Sequence, residues 1–200
     1  MKVCAPHAPP GTAAQVDEGV RLLLDAIGPG RDETVAQAAC SSLGNIAESS
    51  AEWREPLKAG VADLSLRMRL VSVREENWMN LRILFWATTC IAGLPVVLQE
   101  MRQQTSTSYV QHAALCAIVD VLEASDDGEP CSNSEVHVEI MCQVAVAMRL
   151  HRAVEDVQRL GCQALGLLYM SLPSTVEVPQ EALDAVMAAL RCHPHQFQIV

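Results

Sequence analysis

A helical pattern recurs along most of the chain, and it constrains the fold more than any other feature of the sequence. In the segments EGVRLLLDAI (18–27), AGVADLSLRM (59–68) and AGLPVVLQEM (92–101), a Gly is followed eight residues later by Ile or Met. Two further segments, IMCQVAVAM (140–148) and ALDAVMAAL (182–190), keep the apolar spacing without the Gly. The position four residues into this pattern is apolar in all five segments: Leu23, Leu64, Val97, Val144 and Val186.

A second helical block follows each of the first four segments. These blocks are CSSLGNI (40–46), LRILFWA (81–87), LCAIVDV (115–121) and CQALGLL (162–168), and each begins 13 or 14 residues after the Ile or Met. They place apolar or small residues at i, i+3 and i+6, as one face of a helix requires. A pair of such helices is too small to bury its own apolar faces, so neighbouring pairs must stack to form a core.

The terminal Ile, Met or Leu of the first segments recurs at intervals of 41, 33, 47 and 42 residues. An interval near 42 fits the armadillo/HEAT class better than the about 33 or 34 residues of ankyrin and tetratricopeptide repeats. We expect an all-α fold, an armadillo/HEAT-like α-solenoid in which stacked repeats form a right-handed superhelix; a globular bundle of amphipathic helices is the rival. The predicted divisions are a flexible Pro-rich tail at 1–16 and an array at 17–200, with units 17–56, 57–91, 92–135, 136–178 and a truncated 179–200.

The composition agrees with closely packed helices. Half of the residues are apolar, but only three Trp, two Tyr and two Phe are present, and no apolar–polar alternation of the strand type occurs.

Ile83–Leu98 is the longest apolar candidate for a membrane span, but Gly93 and Pro95 divide it into two helices. Five of the eight Cys lie within apolar helical patterns and residues 1–16 lack a signal-peptide core, so we expect free thiols and a cytoplasmic or nuclear location.

Several stretches resemble armadillo repeats of known families. CSSLGNIAESSAEWREPLKAGVADLSLRM (40–68) resembles a repeat junction of the importin-α type, and IAGLPVVLQEM (91–101) has a similar Gly-Leu-Pro helix start. AMRLHRAVEDVQRLGCQALGLL (147–168) and AALRCHPHQFQIV (188–200) are similar to divergent armadillo repeats of leucine-rich-repeat Roc-COR kinases and of protist proteins. The resemblance covers residues 17–200 in short pieces.

The importin-α resemblance implies which residues face a binding groove. In that family a Trp, with an Asn four residues later, recurs on the concave helix of successive repeats. Here the Trp position falls on Ser41, Arg82, Cys116 and Gln163, and the Asn position on Asn45, Trp86, Asp120 and Leu167. Because only Asn45 matches, nuclear-localisation-signal binding is disfavoured. The positions still predict a concave surface on which Arg82, Trp86 and Asp120 are the best anchors, with a core role as the alternative for Trp86.

The charge distribution indicates the kind of partner. The net charge of −10 argues against nucleic-acid binding. No Lys or Arg occurs between Gln103 and Met148, and the loop ASDDGEPCSNSE (124–135) lacks the residue order of an EF-hand. We expect an acidic patch that attracts a basic protein segment; its residues are Glu123, Asp126, Asp127 and Glu129.

No sequence motif for catalysis is present: the chain has no phosphate-binding Gly-rich loop, no GxSxG and no HExxH. Cys192-His193-Pro194-His195 holds three metal-ligand types, but it lacks the second pair of ligands that structural zinc needs. We therefore expect a non-enzyme without metal, cofactor or small-molecule substrate.

The sequence predicts a protein-interaction scaffold that binds a partner segment along a concave face, with no nucleic acid or membrane as partner. One alternative is a regulatory arm of a larger enzyme, such as a Roc-COR-type kinase with catalysis beyond residue 200. The other is a nuclear transport adaptor, which the missing Trp array and the absence of a basic segment in residues 1–15 disfavour. The last unit is expected to expose an apolar face that needs a cover.

Overall fold

The computed structural model describes residues 12–27, 32–49, 54, 57–58, 78–124, 134–173 and 175–194. Within these ranges the chain forms eight α-helices and no strand, which confirms the all-α prediction. The helices are α1 (Thr12–Ala26), α2 (Glu33–Ser49), α3 (Trp78–Ala92), α4 (Leu94–Gln103), α5 (Ser108–Ala124), α6 (Ser134–Leu150), α7 (Glu155–Ser171) and α8 (Gln180–Cys192). None of these helices is both long enough and apolar enough to cross a membrane.

The two kinds of sequence segment lie on different helices and alternate from α3 to α8. The first segments lie in α1, α4, α6 and α8, while the second blocks lie in α2, α3, α5 and α7. The remaining first segment, 59–68, lies outside the described residues. α1 begins at Thr12, inside the predicted tail, and residues 1–11 are not described.

Helix packing follows the order of the chain. α2 packs against α3, α3 against α5, and α5 against α7. α4 packs against α6 and α6 against α8, while α1 with α2, α4 with α5 and α6 with α7 pack as neighbours in sequence. The buried apolar side chains form one continuous cluster from Val20 in α1 to Ala189 in α8. The helices therefore form their common core by contacts with helices close to them in the chain.

Local sequence explains where the helices begin and end. Asp32 Oδ1 accepts hydrogen bonds from the backbone N–H groups of Thr34 (2.9 Å) and Val35 (3.2 Å), so it caps the start of α2. Gly93 separates α3 from α4 with φ of 80°, a left-handed conformation that favours glycine, and Pro95 fits the first turn of α4. The two helices predicted within Ile83–Leu98 are thus confirmed.

A buried glutamine joins the two helices of a unit in the same way twice. Gln111 Nε2 donates to the carbonyl oxygens of Met101 and Gln104, both at 3.0 Å. Gln158 Nε2 donates to Met148 at 2.9 Å and His151 at 3.0 Å. In both cases the carbonyls lie ten and seven residues before the glutamine. In each case the side-chain amide donates to one carbonyl in the last turn of the preceding helix and to one just beyond its end, where carbonyls lack intrahelical partners.

Histidine makes a second repeated link, this time between successive units. His151 Nε2 lies 2.7 Å from the carbonyl oxygen of Thr105, and His193 Nε2 lies 2.9 Å from that of Arg152. A carbonyl oxygen only accepts, so Nε2 carries the proton in both rings. Each histidine follows the first helix of its unit and bonds to the turn after the first helix of the preceding unit.

Candidate partner-binding face

The predicted site residues lie on the four helices that pack in succession. Ser41 and Asn45 are on α2, Arg82 and Trp86 on α3, Cys116 and Asp120 on α5, and Gln163 on α7. Their exposure differs. Asn45 and Gln163 are exposed, Cys116 is buried, and the others are half-buried. We call the surface of α2, α3, α5 and α7 that carries these residues the candidate face.

An ion pair connects α3 to α5 on this face. Arg82 Nη2 lies 3.4 Å from Asp120 Oδ2 and 3.5 Å from Oδ1, so the guanidinium contacts both carboxylate oxygens. The two side chains remain 42% and 35% exposed. A long, half-exposed pair of this kind contributes only about 0–1 kcal/mol, so an incoming charged group can replace either partner at little cost.

Trp86 has contacts on the protein side and on the solvent side. Its ring lies against Gly44 of α2 so closely that a Cβ atom at residue 44 would overlap it. The same residue lines an open cavity of about 260 Å³, together with Arg82, Ile83 and Asp120. Trp86 is therefore neither wholly core nor wholly surface, which reconciles the two interpretations left open by the sequence.

A second polar link connects α5 to α7. Gln163 Nε2 donates to Glu123 Oε1 at 2.7 Å, and both residues are exposed. Glu123 is the first residue of the predicted acidic patch. The other three residues of that patch, Asp126, Asp127 and Glu129, lie outside the described residues.

His112 and Cys116 are adjacent on α5, with His112 Nε2 3.7 Å from the Cys116 sulfur. Burial raises the pKa of the Cys116 thiol and is also the main cause of the lowered pKa of His112. Both groups therefore favour their neutral forms. This pair lacks the thiolate–imidazolium character of a nucleophilic cysteine.

The structure brings Arg82, Trp86 and Asp120 together around the cavity and pairs Gln163 with Glu123. Ser41 and Asn45 share the α2 helix with Gly44 but are not among the residues that line the cavity. The sequence reasoning missed Gly44 and Ile83. A Gly inside a helical pattern indicates close packing, so Gly44 in the block CSSLGNI could have predicted that another helix approaches α2 there.

The Cys-His-Pro-His segment does not assemble a metal site among the residues described. His193 Nε2 is engaged with the carbonyl oxygen of Arg152, and His195 lies outside the described residues. Within the described part of the chain, no three His, Cys, Asp or Glu side chains converge as a metal ion would require.

Comparison with known proteins finds no family model, no curated protein and no solved structure that matches this chain.

Proposed function

We propose that this chain is an armadillo-like α-solenoid that acts as a non-catalytic protein-interaction scaffold. The observation that carries the proposal is the cavity lined by Arg82, Ile83, Trp86 and Asp120 on the candidate face. It combines a half-exposed aromatic ring, a cation and an anion. Trp and Arg are enriched among residues that dominate protein interfaces.

Three observations support the solenoid. The two kinds of helix alternate from α3 to α8, α2, α3, α5 and α7 pack in succession, and α4, α6 and α8 pack likewise. The glutamine links of Gln111 and Gln158 recur with identical spacing. The histidine links join one unit to the next, as repeats that contact only their neighbours require.

The proposed mechanism is the docking of an extended or helical partner segment across α3, α5 and α7. A side chain of the partner enters the cavity beside Trp86, and a basic side chain there pairs with Asp120 in place of Arg82. No Lys or Arg lies between Gln103 and Met148, so the α5 region attracts basic segments over a distance of about one Debye length. Such charges raise the association rate more than the final affinity.

A crosslinking pulldown tests this function with a matched pair of charge-reversal variants. Asp120→Lys with Glu123→Lys reverses two acids on the candidate face. Glu139→Lys is the control, because Glu139 forms an ion pair with Arg102 of similar exposure between α4 and α6 instead. Helicity and melting temperature are measured for each variant by circular dichroism.

We expect the wild type and the Glu139→Lys variant to retain the same crosslinked proteins and the double variant to lose them without loss of helicity. If the double variant captures the same proteins with the same efficiency, the candidate face is not the binding surface and the proposal fails. Trp86→Ala is a less informative test, because it also removes the packing of the ring on Gly44.

A further inference from the structure

Helix α8 carries an apolar stripe that is open to solvent. Leu183, Met187 and Leu190 are 47%, 49% and 39% exposed, and their i, i+4, i+7 spacing places them on one face of the helix. The buried face of α8, which packs against α6 and α7, consists of small residues: Ala182, Ala185 and Ala189. The large apolar side chains of α8 are thus directed away from the core.

Equivalent stripes on α4 and α6 are covered. Counted back from the terminal Met of each helical segment, the corresponding residues are Leu94, Leu98 and Met101 on α4, and Met141, Ala145 and Met148 on α6. All six are at most 5% exposed, because α4 packs against α5 and α6, and α6 packs against α7 and α8. At these three helix positions, α4 and α6 are covered by other helices. At the corresponding positions of α8, no described residue covers the apolar side chains.

The charges beside the stripe indicate what covers it. Asp184 and Arg191 are both exposed and lie seven residues apart, so they flank the stripe on the same side of α8. Asp184, which accepts a hydrogen bond from Gln180 Nε2 at 3.0 Å, lies near the start of the helix, and Arg191 lies in its last turn. When two copies of α8 pair antiparallel, Asp184 of each copy lies beside Arg191 of the other. In a parallel two-fold pair the charged edges of the two copies would lie on opposite sides of the interface, so neither ion pair could form.

We propose that the chain forms a two-fold symmetric dimer in which α8 of one copy packs antiparallel on α8 of a second copy. Leu183, Met187 and Leu190 form the apolar centre of the interface, and Asp184 and Arg191 form two equivalent ion pairs at its edge. Such an interface is self-complementary and closed. A head-to-tail assembly would instead need a different surface of each copy, such as exposed Leu22 on α1, and would close into a ring or grow into open chains. The dimer uses a surface on other helices than the Trp86 cavity, so its failure leaves the proposed function unaffected.

Mass measurement in solution tests the dimer directly. The full chain is examined by size-exclusion chromatography with light scattering and by sedimentation equilibrium, between about 1 and 100 µM. We expect a mass of twice 21.7 kDa at the upper end of this range. The variant Leu183→Ser with Met187→Ser is expected to weaken association by about a hundredfold or more. The matched control Leu22→Ser, which changes an exposed leucine on α1, retains the dimer.

Charge exchange tests the antiparallel orientation. Asp184→Lys alone and Arg191→Glu alone each place like charges together, and each is expected to weaken self-association by about tenfold. An equimolar mixture of the two variants restores both ion pairs, so it is expected to form a heterodimer of near wild-type affinity. The proposal is overturned by a monomeric wild type, by growth beyond the dimer, or by a mixture that associates no better than its separate components. The mixing experiment measures recovery of association, so it tests the proposal even if the serine variant fails to fold.

Discussion

The ring of Trp86 in α3 lies directly over Gly44 in α2, so the two helices approach where residue 44 has no side chain. Both residues belong to second helical blocks, and the ring also borders the cavity on the candidate face. A structural contact and a surface proposed to bind a partner therefore share one side chain. The stability and the shape of the face depend on residue 44 remaining a glycine.

We expect Gly44→Ala to destabilise the fold by about 1–2 kcal/mol. Overpacking costs about 1–3 kcal/mol, and the better helix propensity of alanine returns up to about 1 kcal/mol. Gly166→Ala is the matched control, because Gly166 is exposed within α7 and a Cβ there meets no atom within 4 Å. The Gly166→Ala variant should gain about 0.5–1 kcal/mol in the free energy of unfolding. Urea unfolding monitored by circular dichroism measures both, and equal effects of the two substitutions would contradict the packing argument.

Replacing a linking glutamine tests the repeated side-chain contact. Gln111→Met keeps the volume but removes both donated hydrogen bonds, leaving the carbonyls of Met101 and Gln104 without this donor. We expect a loss of about 1–3 kcal/mol in the free energy of unfolding, because Gln111 is 1% exposed. The corresponding change Gln158→Met should cost a similar amount.

Gln163→Met is the control for this pair, since its hydrogen bond to Glu123 is exposed to water. Its expected cost is below about 0.5 kcal/mol. Chemical denaturation of the three variants under one buffer makes the comparison. If Gln111→Met and Gln163→Met cost the same, the buried amide does not hold the two helices together.

The positions of the helices could be predicted because the apolar residues within each segment recur at helical spacing. The break between α3 and α4 was predictable for a different reason. Gly93 and then Pro95 interrupt an apolar run, and the observed φ of 80° at Gly93 is incompatible with a continuous helix. The glutamine links were also present in the sequence, since Gln37, Gln111 and Gln158 all follow the terminal Ile or Met by ten residues. Apolar periodicity alone does not reveal this spacing, because the linking residue is polar.

The pairings across the candidate face could not be predicted. Arg82 and Asp120 are 38 residues apart, and their contact depends on how far α3 is displaced along α5. The repeat positions of Arg82 and Asp120 place both residues on one surface, but they do not fix how far α3 is displaced along α5. The environment of Trp86 was undetermined for the same reason, because it depends on the residue of α2 that lies opposite the ring. Distances between helices come from the packing of the whole core, which a single sequence does not report.

Stability should be lower at pH 5.5 than at pH 7.5, and both pH values lie above the ordinary range of carboxylate titration. Burial lowers the pKa of His137 and, as the largest cause, that of His112, from the ordinary value of 6.5. The unfolded chain therefore binds more protons than the folded chain between the lowered pKa values and 6.5. Stability is fully present above pH 6.5 and is lost as the pH falls through this window.

His137→Leu should flatten part of this pH dependence, since His137 is 3% exposed and its Nε2 atom has no hydrogen-bond partner among the described atoms. Adding His112→Leu should flatten it further. The melting temperature of each variant is measured at both pH values. A His137→Leu variant whose melting temperature falls as steeply as that of the wild type would show that this histidine does not become protonated on unfolding.

Cys90 in α3 and Cys162 in α7 should react slowly with alkylating reagents, and their rates of reaction report the packing of these two helices. Burial, as the main cause, raises the pKa of Cys90 from 9.0 to about 11, and it raises that of Cys162 likewise to about 11. At pH 7.5 each holds about a hundredfold less thiolate than a thiol of ordinary pKa, and the thiolate is the reactive form. Cys192, which is exposed at the end of α8, should be alkylated before Cys90 and Cys162.

Timed iodoacetamide labelling followed by peptide mass spectrometry separates the individual cysteines. In denaturant all of them should react at similar rates, which is the control for intrinsic differences between peptides. Raising the pH from 7.5 to 8.5 should increase the labelling rates of Cys90 and Cys162 about tenfold while the fold is intact, since the pH remains far below the pKa of each thiol. Labelling of Cys90 or Cys162 as fast as Cys192 at pH 7.5 would mean that α3 or α7 opens readily, and the candidate face would then not be a preformed surface.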